Sequence, residues 1–204
     1  MTASAFQQPI DLSRSKRLKA ATYDTHDQLD KSIMASAPFS SRERYSLFVK
    51  IQHAFHRDID ALYADPGLDA LLPDLQGRRR LPMIEQDLAD LGVPPLAFTT
   101  AAVFTQDSRA DLPTALGWLY VAEGSSLGAA VLLKEAAKLD LSETFGARHL
   151  AGAPEGRGLH WRTFTAALDT IDLSQQQDAE AIAGATAAFD RVQGLVNQVF
   201  SSPR

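Results

Sequence analysis

One segment, ALGWLYVAEGSSLGAAVLLKEA, constrains the fold more than any other. Its spacing predicts a helix from about 112 to 139, with Pro113 in the first turn, where its missing N–H costs nothing. Three glycines, Gly117, Gly124 and Gly128, lie inside it. Each exposed mid-helix glycine costs roughly 0.5–1 kcal/mol relative to alanine. Gly124 and Gly128 are one turn apart and share a face. Something flat, a ligand or another helix, can approach that face closely, and the glycines also permit a bend. Ser125 and Ser126 bring hydroxyls to the same turn, where they can support ordered water. Tyr120 lies one turn earlier, at the rim.

The rest of the chain is patterned the same way. Leu18, Thr22, His26, Leu29 and Ile33 recur at three or four and predict one helix closed by Pro38. Ser40 or Ser41 caps a second, with Tyr45, Phe48, Val49, Gln52, Phe55, Ile59 and Leu62 on its apolar stripe. Pro66 and Gly67 break it. Ile84, Leu88 and Leu91 mark a helix ended by Gly92 and Pro94–Pro95. Residues 93–111 read as a connection and 142–146 as a turn. Trp161, Phe164 and Leu168 mark another helix, and Ser174 opens the last. No alternating strand is visible. The expectation is an all-α single domain over residues 1–204, of seven or eight helices, with 1–11 flexible.

Composition narrows the function. With 20 Lys and Arg against 25 Asp and Glu, the net charge is -5, which disfavours a phosphate-backbone partner. Cysteine is absent, which removes disulfides, thiolate metal sites and Cys nucleophiles, and suits a reducing cytoplasm. No secretory signal or bilayer span is expected. G-x-S-x-G is absent too, so serine hydrolase chemistry has no elbow.

His26 stands where the first stripe calls for a core residue. A buried imidazole needs partners for its ring nitrogens. Asp30, one turn on, can hold one nitrogen and leave the other for a metal; the plainer alternative is a structural histidine satisfied by a neighbour. Lys19 lies two turns before His26, about 10 Å along the axis. That spacing suits a cation facing the acidic edge of a ligand whose centre His26 holds.

RLKAATYDTHDQLD, QHAFHRDIDALY and ALGWLYVAEGSSLGAAVLLKEAAKLDLSETFGARHL together resemble the bacterial biliverdin-producing haem oxygenases, most closely the Gram-negative iron-acquisition type. The likeness runs from about Leu12 to Phe200. It implies a haem (heme b) held between a proximal and a distal helix. By residue matching, His26 is the iron ligand, through Nε2 of a neutral imidazole. Gly124 and Gly128 pass over the distal face, with Ser125 beside them. Lys19 and Tyr120 stand near the propionates, and Gln52 and His53 lie on the helix behind a distal water network. The implied reaction is O2-dependent cleavage of haem, substrate and cofactor at once, to biliverdin with release of CO and ferrous iron. No Gly-rich dinucleotide motif is present, so electrons must come from a separate reductase, a ferredoxin or a small reductant. The resemblance implies a monomer with no membrane or nucleic-acid partner. Relatives that seat haem rotated carry Asn at the Lys19 position and Lys at the Glu135 position. This chain has neither, which points to the α isomer.

Three rival readings remain: a haem carrier without turnover, a ligand-free helical interaction protein, and a di-iron bundle, for which the required Glu-x-x-His pairs are missing. Arg78–Arg79–Arg80 reads as a solvated basic helix start, or else as a dock for an acidic electron donor. His56, His149 and His160 read as surface or structural residues.

Overall fold

The computed structural model describes residues 12–97, 101–106 and 110–201; the N-terminal segment expected to be flexible lies outside them. Eight α-helices are present among the described residues: α1 Arg14–Ala21, α2 Tyr23–Ala35, α3 Arg42–Tyr63, α4 Pro66–Asp69, α5 Leu81–Asp90, α6 Leu112–Ala137, α7 Arg157–Thr170 and α8 Gln175–Ser201. Short 3-10 turns occupy Gln76–Arg78 and Arg148–Leu150. The only β pairing among these residues is an isolated bridge set at Ser142. The all-α architecture expected from periodicity is therefore the observed one.

Local chemistry explains the boundaries. Ser41 caps α3 by accepting the Arg44 amide, and Asp111 caps α6 by accepting the Thr114 amide, with proline in the first turn. The expected single helix over 18–33 is instead two. Thr22 leaves helical geometry, at φ -104° and ψ 7°, and its hydroxyl donates to the Leu18 carbonyl at 2.8 Å. This local side-chain bond competes with the helix ladder, an effect the apolar stripe does not register.

α6 runs against α8 for much of its length. A Cβ on Gly117 would lie 2.1 Å from the Ala181 carbonyl oxygen, and one on Gly184 would lie 2.6 Å from that of Thr114. The two glycines thus interlock the helix backbones, leaving no room for a methyl group on either side. Gly117 serves helix packing, while Gly124 and Gly128 sit further along. By length and composition α6 is apolar enough to cross a bilayer, but half of that stretch is buried inside the protein, as in a core helix. The main core gathers Leu18, Phe55, Leu62, Leu116, Trp118, Leu119, Phe164 and Leu195. A second cluster around Tyr45, Phe48, Val49, Ile84 and Leu88 joins α3 to α5.

Candidate haem site

α2 carries His26. The sequence places it on a buried face, but its side chain is 59% exposed. Leu29 is the one fully buried residue of α2, with Ile33 partly buried against the core; the break at Thr22 turns the stripe, so His26 emerges beside Phe189 of α8. Its ring lies against Phe189, with centroids 5.4 Å apart. In this orientation Asp30 Oδ2 stands 3.4 Å from Nε2, the nitrogen the resemblance gives to iron, and not at Nδ1. Two more apolar side chains of α2, Tyr23 and Met34, stand in solvent.

An open groove of about 500 Å³ lies along α1 and the start of α2. Leu12, Lys16, Lys19, Ala20, Tyr23 and Asp24 line it. Lys19 therefore shares its surface with a second cation, Lys16, which the sequence reading did not single out.

The glycine side of the later half of α6 is open where the earlier half is packed. Among the described residues nothing stands within 4 Å of a Cβ built on Gly128, and one on Gly124 would meet only the Trp161 ring, at an ordinary 3.5 Å. Leu127 and Val131 beside them are exposed. Trp161 also packs against Tyr120 at 5.5 Å and stacks on Phe164 at 5.9 Å. Tyr120 is buried, and burial, with the Asp169 carboxylate adding to it, pushes its phenol above the usual value. The hydroxyls expected to support water are engaged locally: Ser125 donates to the Ala122 carbonyl and Ser126 to that of Glu123, both at 2.7 Å.

On α3, Gln52 is half-buried and His53 buried. Burial lowers the His53 pKa, with Arg57 helping and Glu85 opposing. One turn on, His56 is driven down to about 3, by burial first and then by His149, Arg80 and His53. His56 Nδ1 and His149 Nε2 are both buried without a hydrogen-bond partner, while His149 Nδ1 is 2.7 Å from Asp87. Of these imidazoles the sequence reading chose only His53 for the site.

Of the three consecutive arginines, expected as a solvated helix start, Arg79 is exposed and Arg78 is not. Arg78 is buried and reaches Glu123 Oε2 at 2.9 Å. Arg79 grips Asp60 with two bonds, at 2.5 and 2.7 Å. Arg80 donates to the carbonyls of His149 and Ala151. Spacing alone cannot reveal such partners, which come from distant helices. Glu135, expected to repel a propionate, is held by Lys138 at 2.7 Å through both oxygens, which weakens that repulsion.

Taken singly, these features suit a flat apolar ligand with acidic edge groups: an accessible imidazole, a glycine face met only by the Trp161 ring among the described residues, exposed apolar residues on α2 and α6, and two lysines along one groove, whose lining includes neither His26 nor the glycines. No group of three or more His, Asp or Glu side chains is placed to hold a metal ion among the described residues.

The chain belongs to the haem oxygenase family, the class that cleaves haem oxidatively: the family profile "Heme oxygenase" matches residues 12–198. It is 40% identical over 188 residues to heme oxygenase PigA of Pseudomonas aeruginosa, covering 92% of this chain and 93% of that one. A heme oxygenase of Xanthomonas campestris is 34% identical over 114 residues, or 56% of this chain and 65% of that one. Among solved structures, the NO- and CO-bound heme oxygenase from Neisseria meningitidis superimposes with a TM-score of 0.87 at 42% identity, over 94% of each chain. The heme oxygenase of Leptospira interrogans, 17% identical, shares the fold with a TM-score of 0.73 over 92% of this chain and all of that one.

Proposed function

We propose that the protein cleaves haem to biliverdin, chiefly the α isomer, with release of CO and ferrous iron, in the cytoplasm and in the service of iron acquisition. The observation that carries this reading is the family match over residues 12–198, which an accessible His26 on α2 and the Gly124 and Gly128 positions of α6 suit.

Each residue has a role. His26 binds the iron as a neutral imidazole, oriented by Asp30. Gly124 and Gly128 keep side chains off the distal face, leaving room for O2. Lys19, with Lys16 in the same groove, meets the propionates. Tyr120 and Trp161 form an aromatic wall beside Gly124. Ser125, Gln52 and His53 back the distal side. Bound haem supplies the iron that activates O2 and the ring that is oxidised. Electrons arrive from a separate reductase or ferredoxin, or from a small reductant.

The test is to add haem to the purified protein, then reductant under air, and to separate the products by chromatography. Loss of the Soret band with a defined biliverdin is the expected result. Haem that stays intact, or bleaches without a defined isomer, makes the protein a haem carrier and defeats the proposal.

A further inference from the structure

Glu123 is a carboxylate in the middle of an apolar helix, and it is 5% exposed. Three elements reach it. Arg78 Nη1 donates to Oε2 at 2.9 Å, and the Tyr63 hydroxyl of α3 donates to Oε1 at 3.0 Å. His160 Nε2 of α7 stands 3.5 Å from Oε2. The network continues outward: His160 Nδ1 lies 2.7 Å from Glu155, and Arg78 also donates to the carbonyls of Pro73 and His160. The next residue in the chain is Gly124.

A buried ion network adds little net stability, because desolvation offsets most of the attraction. What it specifies is position, since a carboxylate with donors on three sides has one place to be. The later half of α6 needs such a device. Its first half is locked to α8 through Gly117 and Gly184, but a Cβ built on Gly128 would meet nothing within 4 Å among the described residues. Ala129 and Ala136 pack one side of this half into the second cluster, and the glycine side contributes no packing of its own. One further tie follows Glu123: Arg157 donates to the Ser126 carbonyl at 2.8 Å.

We propose that Glu123 is a positioning residue for the haem site, its carboxylate, held by Tyr63, Arg78 and His160, setting where the Gly124–Gly128 backbone lies. The inference rests on the reading of that backbone as the distal wall. The charge count gives it a pH dependence. Glu123 and Glu155 face Arg78 and His160, so the network is neutral when His160 is protonated; Arg80 adds positive charge beside Tyr63. The bond to Glu123 raises the His160 pKa, burial opposes it, and Glu155 adds to the rise. A raised histidine contributes fully below its unfolded value near 6.5 and loses that contribution as pH climbs through the folded value. The clamp therefore slackens as pH rises above about 6.5 and through the raised value of His160.

The test uses the full-length protein without haem, and then with it. Glu123→Gln keeps the size and removes the charge; Glu123→Gln with Arg78→Met removes both charges. Backbone amide exchange is followed along α6, and haem affinity is measured by titration. In Glu123→Gln, exchange over 124–130 rises by roughly tenfold or more while α3 and the first half of α6 hold still, and the haem Kd rises by about tenfold. The double variant recovers the unfolding midpoint but neither the local protection nor the affinity. In wild type, protection over 124–130 falls as pH rises from 6 to 9, and His160→Gln abolishes that step. A uniform rise in exchange overturns the proposal, as does a double variant that recovers everything, since either makes the network merely structural. Should Glu123→Gln not fold, the double variant and His160→Gln decide alone. A wild type that binds no haem defeats the functional reading instead, while the exchange pattern still reports whether Glu123 places the backbone.

Discussion

Gly117→Ala and Gly128→Leu are expected to separate the two uses of glycine in α6. Alanine in place of a mid-helix glycine gains roughly 0.5–1 kcal/mol of intrinsic helix preference. At position 117 the new methyl meets the Ala181 carbonyl oxygen at 2.1 Å and the Ala185 nitrogen at 2.6 Å. Both obstacles are backbone, so α8 must move, and overpacking of this kind costs typically about 1–3 kcal/mol, occasionally more. Gly117→Ala therefore loses on balance up to about 2 kcal/mol of stability, about 4–8 °C in Tm for a chain of this size. At 128 the site is open, so even leucine is accommodated, and the haem-free protein melts at or slightly above the wild-type temperature. Its haem affinity or turnover falls steeply, because the branched side chain stands where the ligand and O2 must fit. Thermal unfolding without haem, haem titration and biliverdin yield, measured on both variants, give the comparison. A well-folded Gly128→Leu protein with undiminished turnover would show that this face meets something other than haem. A Gly117→Ala protein as stable as wild type would show that α6 and α8 do not interlock.

Three further outcomes are expected. His26→Ala loses the axial-imidazole spectrum and normal turnover even where haem still enters, and an unchanged spectrum and biliverdin yield would remove His26 from the iron. Wild type gives mainly α-biliverdin, and Lys19→Asn with Glu135→Lys shifts the ratio by several-fold; an exposed ion pair is worth only about 0.2–1 kcal/mol, so an unmoved ratio assigns the seating to pocket shape. His56, pushed down to about 3 by burial, binds its proton only on unfolding, so the wild type loses stability as pH falls from 6.5 toward 3, at up to about 1.4 kcal/mol per pH unit from this one group. His56→Leu flattens that acid limb in pH-dependent urea titrations, and an equally steep limb would refute the assignment.

Much of this architecture is written in local patterns. Ser41 and Pro113 mark helix starts by the chemistry of caps, and the stripe from Tyr45 to Leu62 forms α3 as its spacing requires. Patterns fail where a partner is remote in sequence. Arg78 looks like a surface cation until Glu123, from another helix, meets it. Gly117 and Gly128 are the same letter in the same helix, yet a Cβ on one would strike α8 backbone and a Cβ on the other would meet nothing among the described residues. The exposure of His26 was not legible, since its stripe predicts burial and Thr22 turns it outward. His56 and His149 carried no sequence signal at all. Their proximity depends on how α3 meets the Arg148–Leu150 turn, and a pair of buried imidazoles has no periodicity.

α6 has to satisfy two opposed demands. A wall close to a ligand must hold its place to a fraction of an ångström, which calls for dense packing, yet its ligand-facing side must be bare, which removes the side chains that pack. The helix divides the demands along its length. From Leu112 to Ala122 it is anchored by interlocked glycines and by Trp118 stacked on Phe55 at 5.9 Å. From Gly124 onward the proposed ligand face carries glycines, and the backbone is held by polar ties, through Glu123 to Arg78 and through Ser126 to Arg157, together with the packing of Ala129 and Ala136 in the second cluster. A hydrogen bond fixes a backbone without occupying the far face, as apolar packing on a glycine surface cannot. On the proposed reading the charge at Glu123 complements the glycines beside it: where a helix gives up side chains on one face to admit a ligand, directional bonds elsewhere help to set its position.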